Sequence, residues 1–171
     1  MGVPARLLCC CMDSCKGRVP DRHHPTASMY PTLPSPCFSF STRAAYWEND
    51  PERGDIVLFK RDIPDSKVYA KRIVGLPGDT IEIKHGVTYI NGEALDEEYL
   101  REPPDDEDFG PFNIPEDSYF MMGDNRNNSY DSRYWDEHFV PRKNIISKVN
   151  FSIPLALHRD ENDIEQQKDN K

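Results

Sequence analysis

The chain has 171 residues, enough for one domain with a modest core, and a formal net charge of −9. That charge excludes nucleic-acid binding through bulk electrostatics, because neutralising phosphates needs a basic face. Hydrophobic residues make up 37%, and 15 prolines against 9 glycines favour extended strands and stiff loops over helices.

The five cysteines, Cys9, Cys10, Cys11, Cys15 and Cys37, all lie near the N-terminus, so no disulfide can staple the rest of the chain. The Cys-Cys-Cys-x3-Cys run fits no zinc spacing. Residues 1–24 read as an atypical Cys-rich leader, disordered, with S-acylation open near Leu7–Met12. Their longest apolar run is residues 7–12, far short of the roughly 20 residues that span a bilayer. It is also a poor signal-peptide core. Residues 25–157 read as the folded unit, and 158–171 as a polar, disordered tail.

In chain order, strands are expected at 55–60 after an Arg53-Gly54 turn, and at 68–74, closed by Leu76-Pro77-Gly78-Asp79. Ile81 and Ile83 alternate with Glu82 and Lys84, so 80–84 reads as a strand with one buried face. His85-Gly86 turns the chain into 87–90, and Asn91-Gly92 favours a tight primed turn. Together these strands read as a β-meander. Residues 96–108, acidic and broken by proline, read as a solvated loop rather than a binding site. Strands at 118–122 and 145–153 complete a mainly β domain with no long amphipathic helix and no internal repeat.

Three segments carry residues suited to chemistry. In Pro25-Thr26-Ala27-Ser28-Met29-Tyr30-Pro31, two prolines restrict the backbone around a serine and can hold its hydroxyl in place, although such a string alone fits an ordinary loop. In Tyr69-Ala70-Lys71-Arg72-Ile73-Val74, neighbouring side chains point to opposite faces, so Lys71 turns into the apolar side when Arg72 faces outward. A buried lysine is costly unless neutral or paired. Burial lowers its pKa from about 10.4 and leaves an amine that can act as a base. The alternative is an edge-strand lysine that blocks aggregation. The third segment, Phe120–Trp135, runs from a strand into a polar turn. It holds few carboxylates and no histidine, and it fails the EF-hand pattern, so no metal is implied; a structural Asx-rich turn is its plainer reading.

Taken together and in this order, the segments resemble the bacterial type I signal peptidases. The strings Ser-Met-x-Pro-Thr-Leu, Arg-Gly-Asp-Ile-Val-Leu-Phe, Lys-Arg-Ile-Val-Gly-Leu-Pro-Gly-Asp and Gly-Asp-Asn-Arg-x-x-Ser-x-Asp-Ser-Arg all stand intact within residues 25–33 and 51–154. The resemblance implies an antiparallel β fold with a barrel-like core. It implies a serine endopeptidase that releases signal peptides from exported pre-proteins after Ala-x-Ala-type sequences, with no metal or organic cofactor. Ser28 is the implied nucleophile and Lys71 the general base, a Ser–Lys version of triad chemistry. Ser129 matches the serine that orients the lysine. Thr26 and the Ser28 N–H match the oxyanion hole. Asp131 with Arg133, and Asp124 with Arg72, match supporting ion pairs, and Met29 a substrate-pocket residue. The implied partners are pre-protein signal peptides and a membrane surface. The implied location is the cell membrane, with the catalytic domain on its extracytoplasmic side. Residues 1–24 and 34–48 depart from the family pattern. They lack a membrane-spanning helix and the Gly-Asp turn that usually follows the nucleophile, which reads as a front half foreign to the family rather than a divergent, lipidated or partner-anchored member. Two other functions fit parts of the pattern. One is a catalytically impaired or truncated β-domain that only binds peptides. The other is a self-cleaving Ser–Lys peptidase of the repressor type, for which no helix-turn-helix precedes Ser28.

Overall fold

A computed structural model describes residues 27–34, 37–64 and 67–154. The expected leader, the tail and Thr26 lie outside these. Ten strands form two antiparallel sheets. They are β1 (Cys37–Thr42), β2 (Ile56–Phe59), β3 (Tyr69–Gly75), β4 (Thr80–Lys84), β5 (Val87–Ile90), β6 (Glu93–Ala94), β7 (Phe109–Asn113), β8 (Ser118–Met122), β9 (Phe139–Pro141) and β10 (Ile145–Pro154). The larger sheet has the order β1-β10-β2-β3-β8-β9 and curls into a half-barrel; the smaller runs β6-β5-β4-β7. The mainly antiparallel, barrel-like fold expected from the sequence is thus present. The single meander is corrected, because β2 and β3 pair in the large sheet whereas β4, β5 and β6 pair in the small one. The turn Leu76-Pro77-Gly78-Asp79 carries the chain from one sheet to the other.

The small sheet follows from its turns. His85 and Gly86, then Asn91 and Gly92, all take positive φ, the conformation that two-residue primed hairpins require and that Asn and Gly adopt cheaply. Lys84 therefore pairs with Val87, and Ile90 with Glu93. Three apolar clusters hold the domain. Val57, Phe59, Ile73, Tyr119, Met121 and Trp135 line the first. Val74, Ile81, Ile83, Phe120 and Met122 join the two sheets in the second. β8 feeds alternate residues to both, so it is buried on each face. The third cluster, Met29, Leu33, Cys37, Leu58 and Val149, seats the N-terminal segment on the large sheet.

Four strands were not expected. β1 pairs with β10 from Cys37↔Pro154 to Thr42↔Lys148. Its alternation runs against the usual phase: Cys37 and Ser39 face inward, while Phe40 stacks on Phe151 with ring centroids 4.5 Å apart. β7 and β9 each contain a proline, which argues against a strand interior, but both lie at sheet edges, where a missing N–H is tolerated. β6 is only two residues long. Residues 96–108 form no strand, as expected, yet they are tied down. Glu97 forms an ion pair with the buried Arg126 guanidinium. Arg72 lies 4.0 Å over the Tyr99 ring, and the Asp105 N–H donates to Asn127 Oδ1 at 2.9 Å.

Candidate active site

Lys71 lies near the middle of β3, flanked by β2 and β8. Its cross-strand partner is Val57, and it shares a face with Ile73, so only 3% of it is exposed. Arg72, on the other face, reaches Asp124 with two bonds, Nε to Oδ1 at 2.8 Å and Nη2 to Oδ2 at 2.6 Å. The alternation expected from sequence therefore holds, with the lysine turned inward and the arginine paired outward.

The ammonium is not left bare. Lys71 Nζ donates to Ser129 Oγ at 2.7 Å. The Ser129 hydroxyl donates to Asp131 Oδ2 at 2.6 Å, and the Gly123 N–H donates to the same oxygen at 2.9 Å. Arg133 closes the chain, with Nε on Asp131 Oδ1 at 2.8 Å and Nη2 on Oδ2 at 3.0 Å. Asp131 is fully buried. Burial opposes its ionisation, but Arg133, Lys71 and the Gly123 N–H outweigh that and hold the carboxyl below its usual range. For Lys71 burial wins. It pulls the amine from 10.5 to about 8, with Asp131 pulling upward and Arg133 downward. A drop of that size destabilises the ammonium by about 3 kcal/mol.

The Ser28 segment is docked against this chain. Residues 27–33 form a compact turn, with the Tyr30 N–H on the Ala27 carbonyl and the Leu33 N–H on the Met29 carbonyl. Met29 and Leu33 anchor it in the third cluster, and Ser28 is 4% exposed. Polar ties come from the loop after β8. The Asn125 N–H donates to the Ser28 carbonyl at 3.0 Å, Asn125 Nδ2 to the Ala27 carbonyl at 3.1 Å, and Thr32 Oγ1 to Asp124 Oδ2 at 2.5 Å.

Gly123 is where the halves meet. A methyl group there would lie 2.3 Å from Ser129 Oγ and 2.4 Å from the Ser28 carbonyl oxygen, so no side chain fits. Ser28 and the hydroxyl that receives the Lys71 ammonium thus press against the same small residue. The structure brings together Ser28, Met29, Lys71, Arg72, Asp124, Ser129, Asp131 and Arg133; Thr26 lies outside the described residues. Sequence reasoning missed Gly123, Asn125 and Thr32. Each stood inside a quoted motif, but nothing in its spacing reveals that it touches a segment some 90 or more positions away.

A family model described as signal peptidase, peptidase S26, matches residues 12–154. The chain belongs to this family. The matched span takes in residues 12–24 and 34–48, which read as foreign to it from sequence; 34–48 contribute β1. A signal peptidase I of Leptolyngbya laminosa is 42% identical over 135 residues, covering 75% of this chain and 65% of that protein. Signal peptidase I S of Bacillus subtilis (strain 168) is 45% identical over 116 residues, covering 62% and 61%. The crystal structure of a signal peptidase I from Enterococcus faecalis V583 aligns with a TM-score of 0.50 at 34% identity, covering 58% of this chain and 97% of that one. The chain spans about three fifths of the length of the curated relatives it matches. No helix among the described residues is long and apolar enough to cross a membrane.

Proposed function

We propose that this chain carries the catalytic domain of a serine endopeptidase that removes signal peptides from exported pre-proteins. Its substrates carry small residues in an Ala-x-Ala pattern before the cut, and it works at the membrane surface on the extracytoplasmic side. The observation that supports this best is the buried Lys71–Ser129–Asp131–Arg133 chain packed against the docked Ser28 segment.

In this reading the neutral Lys71 amine takes the Ser28 hydroxyl proton as Oγ attacks the scissile carbonyl carbon. The oxyanion is met by the Ser28 N–H, with Thr26 supplying a second donor. The resulting ammonium gives its proton to the leaving amine as the C–N bond breaks, leaving an ester on Ser28. Water, deprotonated by Lys71, then hydrolyses that ester. Ser129 keeps the lysine aimed by accepting one of its N–H bonds and passing the polarity on to Asp131. A base near pKa 8 suits this task, because a large fraction is neutral at working pH and the conjugate acid still protonates an amine readily. Met29 belongs to the apolar floor on which small side chains before the cut would rest.

The test is cleavage of an Ala-x-Ala pre-protein by the purified chain in detergent. Ser28→Ala and Lys71→Ala each abolish it, and near-parental activity in either variant overturns the assignment of roles.

A further inference from the structure

Two surfaces part at Ser28. Met29 turns into the apolar cluster with Leu33, Leu58 and Val149. Tyr30 turns the other way, is 39% exposed, and lines a cavity of about 290 Å³ with Arg101, Glu102, Asp124, Asn125 and Asn128 among its walls. The cavity is polar where the Met29 side is apolar. Its charges are not equally available. Asp124 is committed to Arg72, and Arg126, also in the lining, to Glu97. Arg101 makes no ion pair among the described residues; its guanidinium lies 5.0 Å over the Tyr30 ring instead. That stacking holds a cation beside Tyr30, which follows Ser28 by two residues in the chain. Arg101 is also the sole basic residue within the acidic stretch 96–108, the segment that had read as having no part in binding.

Tyr30 follows Ser28 by two residues and lines this cavity, so a peptide crossing Ser28 in extended form can run one of its halves past Tyr30 into it. The peptide's second residue after the cut lies roughly 7 Å from the scissile carbonyl, at about 3.3 Å per residue. We propose that this cavity receives the first residues on the leaving side of the cut, and that Arg101 favours a carboxylate there. The inference rests on the endopeptidase reading above. Glu102 shares the cavity and opposes an anion, but among the described residues no hydrogen bond or ion pair ties it to the Ser28 segment. The more distant carboxylates of 96–108 act through water and salt, which screen charges beyond about 8–10 Å.

The experiment uses three peptides alike before the cut, with Asp, Asn or Lys as the second residue after it. The readout is the ratio of kcat/KM values for the Asp and Lys peptides. The parent chain favours Asp by about fivefold at low salt, the scale of a surface ion pair. Arg101→Ala brings the ratio near one, Arg101→Glu inverts it, and high salt compresses it. Binding of the same labelled peptides to Ser28→Ala, followed by fluorescence anisotropy, shows the same order. Ser28-dependent cleavage with no charge preference, or a preference that survives Arg101→Glu, overturns the cavity assignment alone. Absence of cleavage with the preference kept in binding overturns the catalytic reading alone. Absence of both overturns both.

Discussion

Lys71 and Ser28 belong to halves of one candidate site that are built differently. The lysine half is core. β3 is paired on both sides, and Asp131 and Ser132 are wholly buried. The serine half belongs to no strand. It is a turn seated by two apolar anchors, Met29 and Leu33, and tied by the side chains and backbone of Asp124 and Asn125. The contrast separates two properties that catalysis needs together. In the proposed mechanism, burial in the sheet sets the protonation of the base, whereas a loop sets the placement of the nucleophile. Each can therefore be disturbed without the other, except at Gly123.

Gly123→Ala breaks both halves at once and has the largest effect. The added methyl collides with Ser129 Oγ and with the Ser28 carbonyl, and displacements near 1 Å cost about 10²-fold or more in rate. The check is kcat/KM alongside far-ultraviolet circular dichroism, which stays near that of the parent; parental turnover would contradict the close contact. Asp131→Asn disturbs only the lysine half. It leaves the Arg133 charge uncompensated in the interior and costs about 3 kcal/mol of stability, read by denaturant titration. Because Asp131 favours the Lys71 ammonium, its removal also moves the activity limb below pH 8.

The pH profile itself comes next. Activity rises about tenfold per unit up to pH near 8 and then levels; a limb near 10.5 would mean that the lysine is solvated. Stability moves the same way. Between about pH 8 and 10.5 the unfolded chain holds a proton that the folded chain has released, so stability climbs with pH in that window. Lys71→Met flattens that slope in denaturant titrations across the window. The smallest effect belongs to Asn125→Ala, which loosens only the serine half. It lowers kcat about tenfold, the worth of one or two hydrogen bonds, and leaves the limb at pH 8. A shifted limb in this variant would show that the two halves are not separable.

The parts legible in sequence share a physical reason. Strands 80–84, 87–90 and 118–122 fell at their expected bounds, because turn residues or a strong apolar pattern delimit them. The inward turn of Lys71 was legible because period two leaves no other choice once Arg72 finds Asp124. β1 was not legible, because its inward positions are Cys37 and Ser39 and its aromatic Phe40 faces outward. β7 and β9 were hidden by prolines that only an edge position excuses. The tie between Arg126 and Glu97, and the service of Asn125 and Gly123 to a segment nearly a hundred residues earlier, depend on tertiary closure that no local pattern encodes.

The pairing of β1 with β10 has a consequence for the order of events during synthesis. The strand that directly follows the Ser28 turn finds its partner only in the final described strand, and Val149 of that strand helps form the seat for Met29. Contacts this distant in sequence carry a high loop-closure cost and form late. On a ribosome, the lysine half can assemble while the serine turn still waits for residues 145–154 to emerge. Under the proposed function, hydrolytic competence would then mark the end of folding, arriving after most of the secondary structure is already in place.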